Sequence, residues 1–533
     1  MLPSRVRPPR QQTESAKPAP LAVKTINAPS GGIITNSTLA TAASAQLLEN
    51  FWPTPRGIEP RGGCATVASV PAGVVSLFEH RGSDSYFAAT ASAIYPFNDA
   101  TTGGGALTAA ISGLTNGKWS TYEAQNSGGN FLLCVNGIDH LRRFDGTTWL
   151  TITGTGTGAI TGVDTDTLSF VWGHRNRIFF CQNDSSSAWY LATNAVGGAA
   201  TELPLAGVFR KGGSLLMGGT WSSDSGSGMD DRCFFITDQG ELALYAGSNP
   251  ADVNNWSLVG VYDVGLPLGR KSMIYIGGDV LFATHRGVVP LSAVVTKDPT
   301  EMAAATVTAA IQGDWNDRVE RAVGDWRLGR WSTIGMIFAL PVSASGESPT
   351  ILAANAENGA WTQFTGWDAV EMSQLGDRLY FGTTAGKVVR AWVGGQDNGM
   401  PYLARAMLAP DHLSDAANTK SASVMQAVWK VRGSITYTMG LAINYNRTWG
   451  VPPDAASVPP GVDDVSLWDI ALWDLAPWSS SEDSYSIVSG WRSVTGVGFA
   501  FAPTVQLMCN SPARVICQLQ RIDVGFQAGG FVT

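Results

Sequence analysis

An all-β chain is what this sequence predicts, on three observations. Glycine is abundant, at 61 of 533 residues, and aromatics are plentiful, with 19 Trp, 20 Phe and 12 Tyr. Short apolar runs alternate with polar turns of a few residues, too short to hold a crossover helix, so neighbouring runs pair as hairpins or meanders. The pattern also recurs along the chain. A four-stranded meander cannot bury both of its faces alone, whereas a radial stack of such units buries them all. The predicted architecture is a β-propeller with diverged blades, followed by a separate two-layer β domain; a pair of β-sandwiches is the rival arrangement.

Residues 1–27 are Pro-rich, polar and locally basic (Arg5, Arg7, Arg10, Lys17, Lys24). They read as a flexible arm without a core of its own, either free or ordered against a neighbouring subunit. Residues 28–70 contain "LLENFWPTPRGIEPRGGCATVA" (47–68). There Phe51 and Trp52 offer adjacent apolar anchors, Pro53 and Pro55 fix φ and withhold donors, and Gly57, Gly62 and Gly63 permit tight bends. Such a stretch reads as a rigid staple that positions a subunit.

Residues 71–399 carry the repeating theme. Its instances are 74–98, 120–149, 168–192, 213–247, 271–293, 332–364 and 368–392, with "NRIFFCQND", "DRCFFITDQG", "GDVLFATHRG" and "GDRLYFGTTAG" as the alignable cores. Their uneven spacing suits diverged blades rather than a regular array. "PTEMAAATVTAAIQGDWNDRV" (299–319) breaks the pattern with the Ala and Met content of one inserted helix, capped by Asp298 or Thr300. From residue 400 the character changes. Residues 420–445 read as two long strands, 446–484 as a long irregular Trp-rich loop, and 486–530 as a segment ending in a hairpin.

The formal net charge of −8 and pI of about 5.2 argue against a protein that grips nucleic acid by its phosphates. They are compatible with a wall past which DNA slides. Six cysteines (Cys64, Cys134, Cys181, Cys233, Cys509, Cys517) form no C-x-x-C and read as buried free thiols. The N-terminus "MLPSRVRPPRQQ" has no apolar h-region and no segment has the length of a membrane span, so neither a signal peptide nor a span is expected. His80, His140, His174, His285 and His412 are scattered, and no G-x-S-x-G, Walker A or H-E-x-x-H motif occurs. The adjacent acids Asp230/Asp231, Asp463/Asp464 and Glu482/Asp483 would point to opposite faces of a strand, which is poor geometry for a glycosidase dyad; loop calcium ligation is their other use. No catalytic, cofactor-binding or metal site is therefore expected, and no enzyme. In "SLWDIALWDLAPW", Trp468, Trp473 and Trp478 recur every five residues, with Asp469 and Asp474 behind the first two. That period fits neither helix nor strand, and leaves a loop clamp, a partner interface or sugar stacking.

"LLENFWPTPRGIEPRGG" resembles the N-terminal signature of the tail nozzle proteins (tail tubular protein B type) of short-tailed bacteriophages, the podoviruses. "LWDIALWDLAPW" looks like a Trp-Asp loop of related phage structural proteins, and "GWRSVTGVGFAFAPTVQL … RIDVGFQAGG" resembles their C-terminal strands. The resemblance implies a β-sandwich-like platform built from N- and C-terminal segments, with the propeller pointing away from the capsid. It implies a homohexameric ring below the portal and adaptor that encloses and gates the DNA ejection channel. Phe51, Trp52, Pro53, Arg56, Gly57, Arg61 and Gly62 would form a platform and assembly motif, and Trp468, Asp469, Trp473, Asp474 and Trp478 an interface loop. The implied partners are other copies of the chain, the head-to-tail adaptor, tail fibres, and genomic DNA passing without sequence-specific binding; the place is the virion, after assembly in the host cytoplasm. The alternatives are a receptor- or glycan-binding propeller of a phage tail and, after it, a propeller-fold glycosidase.

Overall fold

The computed structural model describes residues 20–35, 41, 43–98, 104–222, 231–298, 301, 305–322, 324–342, 349–454 and 485–531. It is a β-propeller joined to a two-sheet platform. Among the described residues, seven sheets follow one another around the propeller axis. Blade 1 holds Ser76–His80, Ser85–Ala89, Ala93–Phe97 and Ile111–Ser112; blade 2 runs from Ser120–Asn126 to Trp149–Thr151. Blade 3 runs from Leu168–His174 to Thr201–Pro204, blade 4 from Leu215–Trp221 to Trp256–Asp263, and blade 6 from Arg327–Trp331 to Trp361–Phe364. Each of the recurring apolar stretches in the sequence falls on one blade.

Local turn chemistry sets these meanders. In blade 3 the strands Leu168–His174 and Arg177–Gln182 are joined by Arg175 and Asn176, at φ 49° and 58°. Positive φ at both central positions is the turn whose twist matches paired strands. Outward and inward residues then alternate, and Phe179, Phe180, Phe234 and Phe282 lie fully buried between blades.

Blades 5 and 7 depart from the simple meander. Blade 5 has three strands, Met273–Ile276, Asp279–Thr284 and Gly287–Pro290. Its outer edge is covered by Thr306–Thr308, where Val307 N–H donates to Val288 O (2.9 Å) and Val288 N–H to Thr308 Oγ1 (3.1 Å). Because this stretch serves as an edge, the single helix expected over 299–319 is broken at Thr306–Thr308, and only a 3-10 turn, Ala309–Ile311, leads into the α-helix. The helix begins only at Gln312 and runs to Arg321, and a separate short helix, Leu291–Thr296, follows the last strand of blade 5. Blade 7 has Ala369–Leu375, Arg378–Thr383 and Lys387–Ala391, and its fourth strand is Cys64–Ser69, from before blade 1. The ring is thus closed by a strand from the N-terminal segment, and the propeller starts at Cys64 rather than at residue 71.

The platform interleaves both ends of the chain. One sheet continues blade 6 outward, adding Ala45–Glu49, Tyr402–Leu408, Phe501–Cys509 and Thr436–Ile443 beyond Trp361–Phe364. The second sheet is built on two long strands, Asn418–Arg432 and Ile516–Phe531. Against them lie Ala22–Asn27 and the hairpin Phe51–Thr54/Gly57–Pro60 on one side, and Ser486–Val488 and Trp491–Gly498 on the other. Two expectations are corrected here. Residues 22–27 are no free arm, since they pair with 521–526. Phe501–Cys509 and Ile516–Phe531 form no hairpin, since they lie in different sheets; the chain crosses between layers there and again between Asn418–Arg432 and Thr436–Ile443. The layers enclose Phe51, Trp429, Tyr437, Phe501, Leu507 and Leu519.

Candidate functional site

The staple sequence folds as a strand pair whose turn is Pro55 and Arg56, between the partners Thr54 and Gly57. Phe51 is fully buried, 6.4 Å from the Trp429 ring in the platform. Trp52 points the other way, as period two requires, and meets Phe364 (6.3 Å) and Trp392 (5.9 Å) at the edge of the propeller. The two adjacent aromatics therefore pin one strand between two cores. Pro53 O accepts from Asn355 Nδ2 (2.9 Å). Gly57 sits at φ 149°, where a Cβ would stand 2.2 Å from Leu519 O; at Gly62 it would stand 2.7 Å from Trp392 Cα. Both glycines are required by close backbone approach. Arg56 is exposed at the turn.

Arg61 is the centre of the motif and is fully buried. Nε donates to Asn50 Oδ1 (2.9 Å), Nη1 to Asp397 Oδ1 and Gly62 O (2.9 Å each), and Nη2 to Asp397 Oδ2 (2.7 Å) and Thr365 O (2.9 Å). All five guanidinium N–H groups are used. The plane lies between the rings of Trp367 (4.5 Å) and Tyr402 (4.1 Å). Burial alone would disfavour the charge, but the two-pronged bond to Asp397 outweighs it and holds the guanidinium ionised.

The network extends further. Asn50, at φ 57°, also bonds Thr365 and Leu403 O, while Thr365 Oγ1 donates to Glu49 Oε1 (2.6 Å) and Arg405 pairs with Glu49. Tyr402 donates its hydroxyl to Arg61 O, and Trp367 Nε1 donates to Asp397 Oδ1 (3.1 Å). One cluster thus ties the N-terminal segment, the link between blades 6 and 7, the exit from blade 7 and the platform. Of its members, the sequence pattern marked only Arg61 and its glycines. Asp397, in the turn sequence "GGQDNG", carries no local sign of a partner 336 positions away. Trp468, Asp469, Trp473, Asp474 and Trp478 lie outside the described residues.

The propeller axis encloses a cavity of about 1290 Å³. Near the first residues of the innermost strands it is lined by Lys118, Arg270, Lys271, Asp325, Arg327 and Glu371. Glu371 is almost fully buried and faces Lys271 Nζ (3.1 Å) and Arg327 Nη1 (2.6 Å). Lys271 Nζ also donates to Ser76 Oγ (2.7 Å), joining blades 1, 5 and 7.

The histidines bond within and between blades. His80 meets Ser83 and Asn130 O, His174 meets Thr220 and Gly247 O, and His285 accepts from Leu266 N–H. Burial lowers the His174 pKa. All six cysteines are free and buried. Among the described residues, no group of three or more His, Cys, Asp or Glu side chains could hold a metal ion, and no helix is long and apolar enough to cross a membrane.

No family model matches the chain, and no curated protein does. Solved structures that match include Raptor from Chaetomium thermophilum (9% identity, TM-score 0.40, 62% of this chain and 29% of that one). The β-propeller domain of Cps50 (Swd1) from Myceliophteria thermophila matches at 10% identity and TM-score 0.39, over 62% and 99% of the two chains. Sqt1 from Saccharomyces cerevisiae matches at 11% and 0.35, over 65% and 96%. The chain thus spans less than a third of the Raptor chain, and at such scores the likeness adds nothing to what the ring of sheets itself establishes.

Proposed function

We propose that this protein is a virion structural protein, a tail nozzle subunit of the podovirus type. Six copies form a ring below the portal and adaptor, and the ring encloses and gates the channel through which DNA leaves. The observation that carries the reading is the outer edge of the platform. Along Ser486–Val488 and Trp491–Gly498 the apolar side chains Ile487, Trp491 and Val497 are 59%, 50% and 66% exposed, with Tyr485 beside them. Apolar groups clustered on an exposed sheet edge favour burial against another chain. An interlocked platform of both chain ends would supply a stiff mount for such a contact. Native mass spectrometry and negative-stain images of the purified protein test the reading. Rings of six copies, or rings on adding the adaptor, are expected; a persistent monomer that never joins an adaptor ring overturns it.

A second reading, a receptor- or glycan-binding propeller of a phage tail, is favoured by the axial cavity and the charged side chains at one end of it. Specific binding on a glycan array by a protein that stays monomeric would replace the first reading with this one.

A further inference from the structure

The axial cavity holds more positive charge than its acids neutralise. At the end formed by the first residues of the innermost strands, the lining holds Lys118, Arg270, Lys271 and Arg327 together with Asp325 and Glu371. Lys118 pairs with Asp325 (3.1 Å) at an exposed position. Glu371 is shared between Lys271 and Arg327, so one carboxylate serves two cations. Arg270 bonds the neutral side-chain oxygen of Asn183 and has no carboxylate among the ion pairs of the described residues. Arg327 Nε is buried without an acceptor. Four cations against two carboxylates leave two positive charges, in a chain whose formal net charge is −8. The acids Glu79 and Glu123 also line the cavity, but so do Arg81, which pairs with Glu79, and Arg330, so the whole lining keeps the same surplus. A concave site with protein walls focuses such a surplus, and guanidinium and ammonium groups match oxyanions in geometry and charge.

We infer that this end of the propeller axis is a binding site for a small oxyanion carrying two or more negative charges, of the phosphate or polycarboxylate class. Arg270 and Lys271 line it from adjacent positions in the chain, and Arg327 adds its charge from the facing strand. The site does not depend on the ring-assembly reading, because every group in it belongs to one chain.

Isothermal titration of the full-length protein with sodium pyrophosphate and, separately, with citrate tests the inference, with ionic strength held constant by sodium chloride. Saturable binding with a dissociation constant below about 1 mM is expected for one of them. The tighter of the two identifies the class. Arg270→Gln, which retains an amide to meet Asn183, should weaken binding about tenfold or more. Lys118→Gln, at an exposed position, should weaken it less and guards against a folding defect in the first variant. Heats indistinguishable from the salt control with both anions, or a folded Arg270→Gln variant that binds as tightly as the wild type, overturn the inference.

Discussion

At the residue scale, the chemistry of the staple is that of a buried charge made tolerable. Taking a guanidinium out of water is costly, and only full use of its donors and a bidentate carboxylate offsets that cost. Arg61 meets both conditions through Asp397, Asn50 and two backbone carbonyls. Removing one partner strands the other: Arg61→Met should destabilise the protein by about 3–5 kcal/mol, and adding Asp397→Asn should recover part of the loss. Chemical denaturation of both variants checks this, and a single variant with an unchanged midpoint would refute it. Arg61→Lys should not rescue, because one ammonium cannot replace a planar fork of five donors. Trp52→Ala should cost a similar amount, about 3–5 kcal/mol, through the void left against Phe364 and Trp392.

Lys271 gives a prediction in pH. Burial, with Arg327 and Lys118 nearby, pushes its pKa from 10.5 down to about 8, against the pull of Glu371. Between those values the unfolded chain holds a proton that the folded chain has released, so this residue makes stability rise with pH. Buried thiols such as Cys64 and Cys509, both pushed from 9.0 up to about 12, act in the opposite sense over the upper part of that range. The measurable quantity is therefore a difference. Between pH 8 and 10 the wild type should gain stability relative to Lys271→Met in urea melts, and parallel curves for the two proteins would refute it.

At the element scale, the decisive piece is the strand Cys64–Ser69, which closes blade 7. Its entry is fixed by Gly63, whose N–H donates to Gly394 O (2.9 Å) and where a Cβ would stand 2.0 Å from Gln396 O. Backbone cannot yield as a flexible side chain can, so Gly63→Val should loosen the closing strand first. Hydrogen exchange should then accelerate in Lys387–Ala391, its partner strand, more than in blade 3; equal exchange in the two blades would show that this entry point does not control closure. The same element marks where sequence reading ends. Blades were legible because hairpin turns and alternation are local: the Arg175–Asn176 turn and the run "RIFFCQ" announce themselves within ten residues. The partner of Cys64–Ser69 lies more than 300 positions away, and no local signal names it. For the same reason Val515, Cys517 and Leu519 revealed a strand by their alternation but not its sheet. Its neighbours proved to be Asn418–Arg432 and the N-terminal strands, and not the segment just before it. Within the candidate site, Phe51, Trp52 and Arg61 were marked by composition, whereas Asn50, Asp397 and Tyr402 become its members only through the fold.

At the scale of the whole molecule, two kinds of apolar surface must be kept apart. Phe51 and Trp52 face inward and hold platform to propeller, so changing them weakens the subunit itself. Trp491 and Val497 face outward on a strand whose one paired neighbour among the described residues is Asn418–Arg432, so their loss removes little buried area from the isolated chain. The assembly reading therefore predicts a separation of effects. The double variant Trp491→Ser/Val497→Asp should unfold within about 1 kcal/mol of the wild-type monomer, because exposed substitutions away from special features have small effects. It should nevertheless fail to form rings, since a carboxylate placed within an apolar contact is buried unpaired. Trp52→Ala should show the reverse pattern, with lowered stability and rings that still form at low temperature. Light scattering and melting curves on the same samples resolve the two quantities. If the double variant assembled like the wild type, this edge would not be the subunit interface, and the ring would have to be built from another face of the platform.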